Sequence, residues 1–371
     1  VTPASPGQSA GLHDLMRILS VGTALPPNSY SQAELVAALT AYWAARHHNP
    51  ARVRQLHEAV QVGGRHLALP LHEYPALTGF GDSNDAWIRV GLDVGEQALR
   101  QALDKAGLRP DQLDALFTVS VTGIATPSLD ARLINRMGLR SDLVRVPIFG
   151  LGCVAGAAGL SRLADWLRAW PGKTAALLSV ELCSLTLQRQ DLSIPNLIAS
   201  GLFGDGSAAV VATGTGPDAR PDSGPHEGPE VIAWGSRFYP DTERVMGWDV
   251  GDDGFKVVLS AAVPQVVEQH LGADVDAFLG AQGLSRADIR SWVCHPGGPK
   301  VLTAFERVLD LPPEALALTR RSLREVGNLS SSSVLFVLGD TIAERRPPAG
   351  SLGLMLAMGP GFCSELVLLR W

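Results

Sequence analysis

Apolar and polar residues follow two different periods along the chain, and their succession predicts alternating helices and strands. Segment 31–46 has apolar residues at helical spacing behind Ser31, a possible cap, with Glu34 three residues on. Short apolar runs between turn residues predict buried strands. The predicted helices span 31–46, 85–106, 128–137, 154–170, 264–282, 299–309 and 331–345, and the predicted strands span 113–121, 143–148, 174–181, 207–212, 289–294, 351–358 and 365–371.

This alternation occurs in both parts of the chain and predicts an α/β fold whose sheets are covered by helices. Segment 214–228 is rich in Gly, Pro and Asp and reads as a loop between two halves. We therefore predict a flexible tail at 1–17, an N-terminal half at 18–225 and a C-terminal half at 226–371. The tail lacks the basic start and apolar run of a signal peptide.

Composition narrows the possible partners and the compartment. Only 18% of the 371 residues are charged, which suggests that much surface is hidden in a large core or against a second subunit. A net charge of −6 without a basic stripe argues against nucleic acid, and the apolar runs are too short for a membrane span. Four cysteines without a C-x-x-C pair disfavour zinc and disulfides, so we expect a reducing cytoplasm.

One cysteine lies in a distinctive local pattern. The predicted strand ending near Pro147 runs through Gly-Leu-Gly into Cys153, which precedes a helix of very small residues. A helix N-terminus favours an anion and so stabilises a thiolate. A buried structural cysteine remains an alternative, and Gly150-x-Gly152-x-x-x-Gly156 only superficially imitates a dinucleotide fingerprint, because its spacing is off by one.

Two further polar residues occur at predicted element ends. His295 ends an apolar strand before Pro-Gly-Gly, although a His-Pro pair can also be a structural turn. Asn328 follows Gly327 and precedes four serines, where it could cap a helix or donate to an oxyanion. The histidines at positions 47, 48, 57, 66 and 72 lie in polar or helical contexts and are interpreted as surface residues.

Cys153, His295 and Asn328 together suit acyl transfer. A thiolate attacks an acyl carbonyl, while an imidazolium lowers the thiol pKa and an amide stabilises the developing oxyanion. Papain-like hydrolases use the same residue types in the same order, but Gly-Leu-Gly-Cys at a helix start suits the thiolase superfamily better. A non-catalytic binding module would require this coincidence to be accidental.

Nearly the whole chain resembles the type III polyketide synthases, the chalcone-synthase-like branch of the thiolase superfamily. The motifs that carry the resemblance are Gly152-Cys153, Phe203-Gly-Asp-Gly206, His295-Pro-Gly-Gly-Pro299, Gly327-Asn328-x-Ser-Ser331 and Met358-Gly-Pro-Gly361. The resemblance implies a five-layered αβαβα fold built from two similar halves and a homodimer. It also implies acyl-CoA and malonyl-CoA as substrates and no metal or other cofactor.

The resemblance further assigns roles to individual residues. Cys153 would hold the starter and the growing chain, and His295 and Asn328 would bind the malonyl carbonyl and stabilise its enolate. Phe203 matches a gate between the CoA tunnel and the cavity. The other predicted cavity residues are Cys183, Thr186, Val121, Val257 and Ser330, and the weaker predictions for CoA phosphates are Arg54, Arg65 and Lys300.

Two segments look like the bacterial alkylresorcinol and alkylpyrone synthases, namely Met246-Gly-Trp-Asp249 and Glu181-Leu-Cys-Ser184. We therefore expect a long-chain fatty acyl-CoA starter that is extended by malonyl-CoA and cyclised to a resorcinol or pyrone. One alternative is a 1,3,6,8-tetrahydroxynaphthalene-type synthase that uses malonyl-CoA alone. Others are a ketoacyl-ACP synthase III, which condenses once, and a cysteine hydrolase.

Overall fold

Strands and helices alternate along the described chain, as the sequence predicts. The computed structural model describes residues 16–44, 49–215 and 228–371. The N-terminal half contains β1 (Met16–Ala24), β2 (Asn28–Ser31), α1 (Gln32–Trp43), α2 (Pro50–Ala59), β3 (Gly64–Leu67), α3 (Phe80–Lys105), β4 (Ala115–Ser120), α4 (Leu129–Met137), β5 (Val144–Phe149), α5 (Ala155–Ala169), β6 (Thr174–Leu182), α6 (Ile194–Leu202) and β7 (Asp205–Gly214).

The C-terminal half repeats much of this order. It contains β8 (Glu230–Phe238), β9 (Met246–Gly251), β10 (Gly254–Leu259), α7 (Val263–Gly280), β11 (Ile289–Cys294), α8 (Pro299–Leu309), α9 (Ala317–Val326), α10 (Ser333–Glu344), β12 (Leu352–Gly359) and β13 (Cys363–Arg370). Within the described ranges, no helix is long and apolar enough to cross a lipid bilayer.

Nine strands form one mixed sheet in the order β11-β12-β13-β8-β1-β7-β6-β4-β5. The two half-sheets join where β1 pairs with β8, through Met16 opposite Val231 and Arg17 opposite Glu230. In the N-terminal half-sheet β4 pairs in parallel with both β5 and β6, and in the C-terminal half-sheet β11 pairs in parallel with β12. The order β11-β12-β13-β8 matches β4-β6-β7-β1, so the two halves are similar units.

Alternate residues of each strand face opposite layers, because side chains along a strand have a period of two. Leu177 and Val210 pack toward α5 in the centre, whereas Leu178 and Val211 pack toward α3 on the outside. In the other half-sheet Met355 packs toward the centre with α10, while its neighbours face α7 and α8. The layers are thus α3 with α4, a half-sheet, α5 with α10, a half-sheet, and α7 with α8. This confirms the predicted five-layered thiolase-like fold.

The central helices α5 and α10 approach closely because α5 begins with very small residues. A Cβ atom added at Gly156 would overlap the carbonyl oxygen of Ser331 and lie 2.7 Å from Cγ1 of Val334. Ser161 in the next turns is fully buried and donates to the Ala157 carbonyl. This close packing holds the first turn of α5 against the serine-rich segment before α10.

Most predicted elements are present, and several are displaced at one end. The predicted strand at 289–294 and helix at 299–309 coincide with β11 and α8. Helix α3 begins at Phe80, five residues before its predicted start, because a segment that looks turn-like from its Gly, Ser and Asn residues is helical here. Ser31 caps α1 through a reciprocal contact with Glu34, as predicted, and the predicted end of that helix lies outside the described residues.

Other expectations are corrected. The predicted tail at 1–17 is too long, because Met16 and Arg17 belong to β1 and Met16 is fully buried. The predicted boundary at 225/226 lies outside the described residues. His57 is not a surface residue: it is fully buried, its ring packs against Gly201 of α6, and its Nε2 lies 3.1 Å from the Ser200 hydroxyl. Strands β1, β2, β3 and β8, helices α2, α6 and α9 and the β9–β10 hairpin were not predicted.

We predict that Gly156→Ala lowers the free energy of unfolding by about 1–3 kcal/mol, because the added methyl group must displace the backbone of Ser331. Gly280→Ala is the matched control, since an added Cβ at the end of α7 meets nothing within 4 Å. The control should be as stable as the wild type. Urea unfolding followed by circular dichroism measures both, and equal losses in the two variants would contradict the packing argument.

Candidate active site

Cys153 lies between β5 and α5, in a turn whose backbone requires glycine. Gly150 and Gly152 have φ angles of +97° and +56°, in the left-handed region that L side chains rarely adopt. A Cβ atom at Gly152 would also lie 2.6 Å from Cγ of Pro360. A single 3-10 turn, Gly152–Val154, leads from here into α5. The thiol is thereby fixed at the beginning of a central helix, where the sequence placed it.

Ser330 connects Cys153 to Asn328. The Ser330 hydroxyl lies 3.6 Å from the Cys153 sulfur, and the Ser330 backbone N–H donates to Asn328 Oδ1 at 2.8 Å. Ser330 has a φ angle of +49°, in the left-handed region that L side chains rarely adopt. Thus the segment before α10 brings the Asn328 amide close to the thiol that the start of α5 carries.

Asn328 is held by its backbone on a neighbouring loop. The Asn328 N–H donates to the Leu202 carbonyl at 2.9 Å, and the Asn328 carbonyl accepts a hydrogen bond from the Gly204 N–H at 3.0 Å. The two bonds form a parallel bridge between Asn328 and Phe203. The candidate gate residue Phe203 and the candidate catalytic amide therefore share one piece of hydrogen-bonded backbone.

His295 follows β11 and reaches Asn328 through the turn after it. The Gly297 N–H donates to the His295 carbonyl at 2.9 Å, and the Gly297 carbonyl lies 3.5 Å from Asn328 Nδ2, a long and weak contact. His295 is almost completely buried, and among the described residues neither of its ring nitrogens has a hydrogen-bond partner. A buried imidazole with unused nitrogens is suited to bind a ligand.

Burial determines the protonation of the thiol and the imidazole. It raises the pKa of Cys153 to about 12, although the Ser330 hydroxyl opposes this shift, and it lowers the pKa of His295 to about 3. Both groups are consequently neutral at pH 7. Burial thus gives no support to the expected imidazolium that lowers the thiol pKa, which stays a prediction. A neutral imidazole still carries one N–H, so His295 remains able to donate to a carbonyl oxygen.

Two adjoining cavities lie at this site. The reaction chamber, of about 30 Å³, is lined by Val121, Gly152, Cys153, Cys183, Phe203, Met246, Gly247, Trp248, Val257, Val258, Leu259, Ser330 and Pro360. A larger side cavity of about 200 Å³ adjoins it, and the walls of both include Cys183, Phe203, Trp248 and Val257.

The predicted cavity residues line these two spaces. Val121 and Ser330 line the chamber, Thr186 lines the side cavity, and Phe203, Cys183 and Val257 line both. Trp248 was not among the predicted cavity residues, although it lies in the motif Met246-Gly-Trp-Asp249. Most of the side-cavity wall was not predicted either, because it comes from α1, the segment around Tyr74 and α6, which are far apart in the sequence.

Glu181 is a buried carboxylate for which the sequence predicted no role. It accepts hydrogen bonds from the Ser331 hydroxyl, the Thr122 hydroxyl (2.8 Å) and the Val121 N–H (3.2 Å). Burial raises its pKa to about 7 despite these donors. Glu181 therefore ties the end of β6 to the chamber wall at Val121 and to the serine segment next to Ser330.

The three residues predicted to contact CoA phosphates lie in different environments. Arg54 on α2 and Lys300 in the first turn of α8 are exposed, so either can reach a ligand from solvent. Arg65 is only 4% exposed, and its Nη1 donates to the Phe203 carbonyl at 2.7 Å. The prediction for Arg65 is therefore corrected, because a buried guanidinium bound to backbone is not available to a phosphate at the surface.

A five-layered fold with a cysteine at the start of one central helix, and with the Asn328 segment brought to it by the start of the other central helix, is the architecture of a condensing enzyme of the thiolase type. The N-terminal domain of chalcone and stilbene synthases matches residues 8–217, and the C-terminal domain of the same family matches residues 230–371. The chain therefore belongs to the chalcone and stilbene synthase family, the type III polyketide synthases, which are decarboxylating, acyl-transferring condensing enzymes.

Individual relatives agree with this assignment. The chain is 52% identical to a 1,3,6,8-tetrahydroxynaphthalene synthase of Streptomyces peucetius subsp. caesius, over 100% of this chain and 97% of the relative. It is 33% identical to a 3,5-dihydroxyphenylacetyl-CoA synthase of Streptomyces toyocaensis, over 96% and 90%. The crystal structure of 1,3,6,8-tetrahydroxynaphthalene synthase from Streptomyces coelicolor A3(2) superposes with a TM-score of 0.89 at 31% identity, covering 96% of this chain and 99% of that chain.

The comparisons confirm the family and exclude two alternatives. A papain-like hydrolase and a ketoacyl-ACP synthase III are wrong, because both domains of the type III family match. The finer resemblance to alkylresorcinol and alkylpyrone synthases is not supported, since the relative at 52% identity is a tetrahydroxynaphthalene synthase. The two segments on which that resemblance depended both contribute to the cavity walls, one through Cys183 and Ser184 and the other through Met246, Gly247 and Trp248.

Proposed function

We propose that this enzyme uses malonyl-CoA alone and forms 1,3,6,8-tetrahydroxynaphthalene. The observation that carries the proposal is the 52% identity, over the whole chain, to a relative with that activity in its name. A second relative so named, from Streptomyces coelicolor, is 34% identical over 85% of this chain. The names of these relatives give no support to the long-chain starter expected from the sequence.

Loading begins at Cys153. Its sulfur attacks the thioester carbonyl of malonyl-CoA, the bond from the carbonyl carbon to the CoA sulfur breaks, and CoA leaves as the thiol with the cysteine proton. The dry chamber keeps Cys153 protonated until a thioester binds. Because the chamber holds only about 30 Å³, its walls must move when substrate enters, and the β9–β10 hairpin supplies much of that wall.

Extension needs a carbanion, which decarboxylation supplies. In a malonyl thioester the carbon–carbon bond to the carboxylate breaks, CO₂ leaves, and the electron pair moves onto the thioester carbonyl oxygen as an enolate. Asn328 Nδ2 and the N–H of neutral His295 are the donors that stabilise this oxygen. The weak contact from Asn328 Nδ2 to Gly297 leaves the amide hydrogens free for that task.

The enolate carbon then attacks the thioester on Cys153, and the new ketoacyl chain is reloaded and extended again. Five malonyl units supply the ten carbons of the naphthalene with loss of five CO₂, five CoA and one water. No net oxidation or reduction occurs in that balance. The absence of a cofactor or metal remains a prediction.

The growing chain needs more room than the reaction chamber offers. The side cavity of about 200 Å³ opens from the same walls, Cys183, Phe203, Trp248 and Val257. A chain attached to Cys153 can extend past Cys183 toward Thr186 and Ser184, which also line the side cavity. The geometry therefore provides space for several extensions before the ring closes.

We expect the purified enzyme to convert malonyl-CoA, with no other thioester, into tetrahydroxynaphthalene detected by liquid chromatography and mass spectrometry. Cys153→Ala should reduce product formation at least about 1,000-fold, because it removes the nucleophile. The matched control is Cys294→Ala, since Cys294 is buried on β11 and packs toward α8, away from the chamber. Product from Cys153→Ala at the wild-type rate would refute the nucleophile.

A second candidate, a long-chain acyl starter, is supported by one observation. The side cavity is lined by several aliphatic side chains that could surround an acyl tail: Leu35, Leu39, Leu67, Leu71 and Leu187.

With equal concentrations of malonyl-CoA and C12–C18 acyl-CoAs, we expect tetrahydroxynaphthalene to exceed alkylated products by about tenfold or more. The physical reason is that the side cavity, of about 200 Å³, is small for a C12–C18 tail together with the polyketide that grows from it. Mass spectra of the competition measure the product ratio. Alkylpyrones or alkylresorcinols as the main products would replace the proposed starter with the second candidate.

The homodimer remains a prediction, and the edge strand β5 supports it. β5 is the last strand of the sheet, and Phe149 at its end is 51% exposed, with Val144 also exposed at its start. An exposed apolar strand edge is a site for pairing with another chain. Light scattering coupled to size-exclusion chromatography should give a mass twice that of the 39.2 kDa chain. Phe149→Arg should shift the mass distribution toward that of one chain. A monomeric wild type would contradict this prediction.

A further inference from the structure

Arg65 is a buried cation whose position the mechanism above does not use. It lies on β3, is 4% exposed, and donates from Nη1 to the Phe203 carbonyl at 2.7 Å. Its aliphatic stem lies between two glycines. A Cβ atom added at Gly327 would lie 3.1 Å from Arg65 Cδ, and one added at Gly204 would lie 3.5 Å from Arg65 Cγ. The side chain is thus wedged where segments 202–204 and 326–328 meet.

These two segments carry the gate and the candidate catalytic amide. The Asn328 N–H donates to the Leu202 carbonyl at 2.9 Å, and the Gly204 N–H donates to the Asn328 carbonyl at 3.0 Å. Arg65 binds the carbonyl of the one residue between them, Phe203. A shift of this carbonyl would therefore move the backbone that fixes Asn328, and positional errors of about 1 Å can cost about 100-fold in rate.

The charge of Arg65 is costly in this position and is only partly compensated. Burial lowers the pKa of Arg65 to about 10, and the nearby Asp205 carboxylate opposes that shift. Asp205 is itself fixed, because it accepts hydrogen bonds from the Ala68 N–H at 2.6 Å and the Ser184 N–H at 2.8 Å. Arg65 Nε has no hydrogen-bond partner among the described residues. A hydrophobic residue of similar volume would avoid this desolvation cost, so stability alone does not account for an arginine here.

We propose that Arg65 is a positioning residue for decarboxylation and condensation, which acts through the Phe203 carbonyl on the backbone of Asn328. This inference rests on the oxyanion-binding role proposed above for Asn328. Arg65 also borders the side cavity. A role in binding substrate there would change KM, whereas a role through Asn328 changes kcat, and the two are separable by experiment.

The test is a double-mutant cycle on CO₂ release from malonyl-CoA, with Arg65→Met, Asn328→Ala and the double variant. We expect Arg65→Met to lower kcat about 10- to 100-fold while KM changes less than about threefold. In the Asn328→Ala background, Arg65→Met should lower the remaining rate less than about twofold, because the group it positions is absent. If the Asn328→Ala variant is too slow to measure, Asn328→Ser takes its place in the double-mutant cycle.

Arg286→Met is the matched control. Arg286 also donates to backbone carbonyls, of Val308 at 2.7 Å and Gly272 at 2.9 Å, but it does so on the outer layer of the other half. It should retain the wild-type kcat. Thermal unfolding verifies that each variant is folded, and Arg65→Lys, which keeps the charge beside Asp205, takes the place of Arg65→Met if the latter does not fold.

The outcomes separate the two proposals. Wild-type decarboxylation by Asn328→Ala would refute the proposed role of Asn328. If Asn328→Ala is impaired, an unchanged kcat in the Arg65 variant, a change confined to KM, or an equal loss of rate in both backgrounds would overturn the inference for Arg65. A kcat loss that disappears in the Asn328 background supports it.

Discussion

The close contact between the two central helices is the constraint on which the site depends. Gly156 allows the start of α5 to lie against the backbone of Ser331 just before α10. Cys153 precedes α5 by one turn, and Ser330 and Asn328 precede α10 in the same way. Two equivalent helices, one from each half, therefore bring the candidate nucleophile and the candidate oxyanion donor together, and a side chain at Gly156 would separate them.

Around this contact the polar groups are dehydrated, and dehydration defines their chemistry. Burial keeps the Cys153 thiol and the His295 imidazole neutral and raises the pKa of Glu181 to about 7. A dry chamber strengthens the hydrogen bonds that an enolate oxygen would accept and excludes water from a reactive thioester. The same dehydration makes it energetically unfavourable to bury the charge of Arg65. Stability alone therefore does not explain the hydrogen bond from Arg65 to the Phe203 carbonyl.

Several elements escaped sequence analysis for identifiable physical reasons. The β9–β10 hairpin forms a chamber wall, but its strands are half exposed and rich in Gly and Asp, so the apolar alternation is weak. Helix α3 begins earlier than its apolar pattern suggests. His57 and Arg65 look like surface residues in a polar sequence, and each is buried because α6 and the loop after it, far away in the chain, cover them.

The sequence by itself determined the α/β alternation, the two halves and the family, and it singled out Cys153, His295 and Asn328 as candidates, because these depend on local periodicity and on short motifs with glycine at fixed positions. Only the tertiary structure decided how the residues meet: Ser330 between thiol and amide, the bridge from Phe203 to Asn328, and Arg65 beneath that bridge. These are contacts between segments more than a hundred residues apart, and their formation depends on how the layers pack.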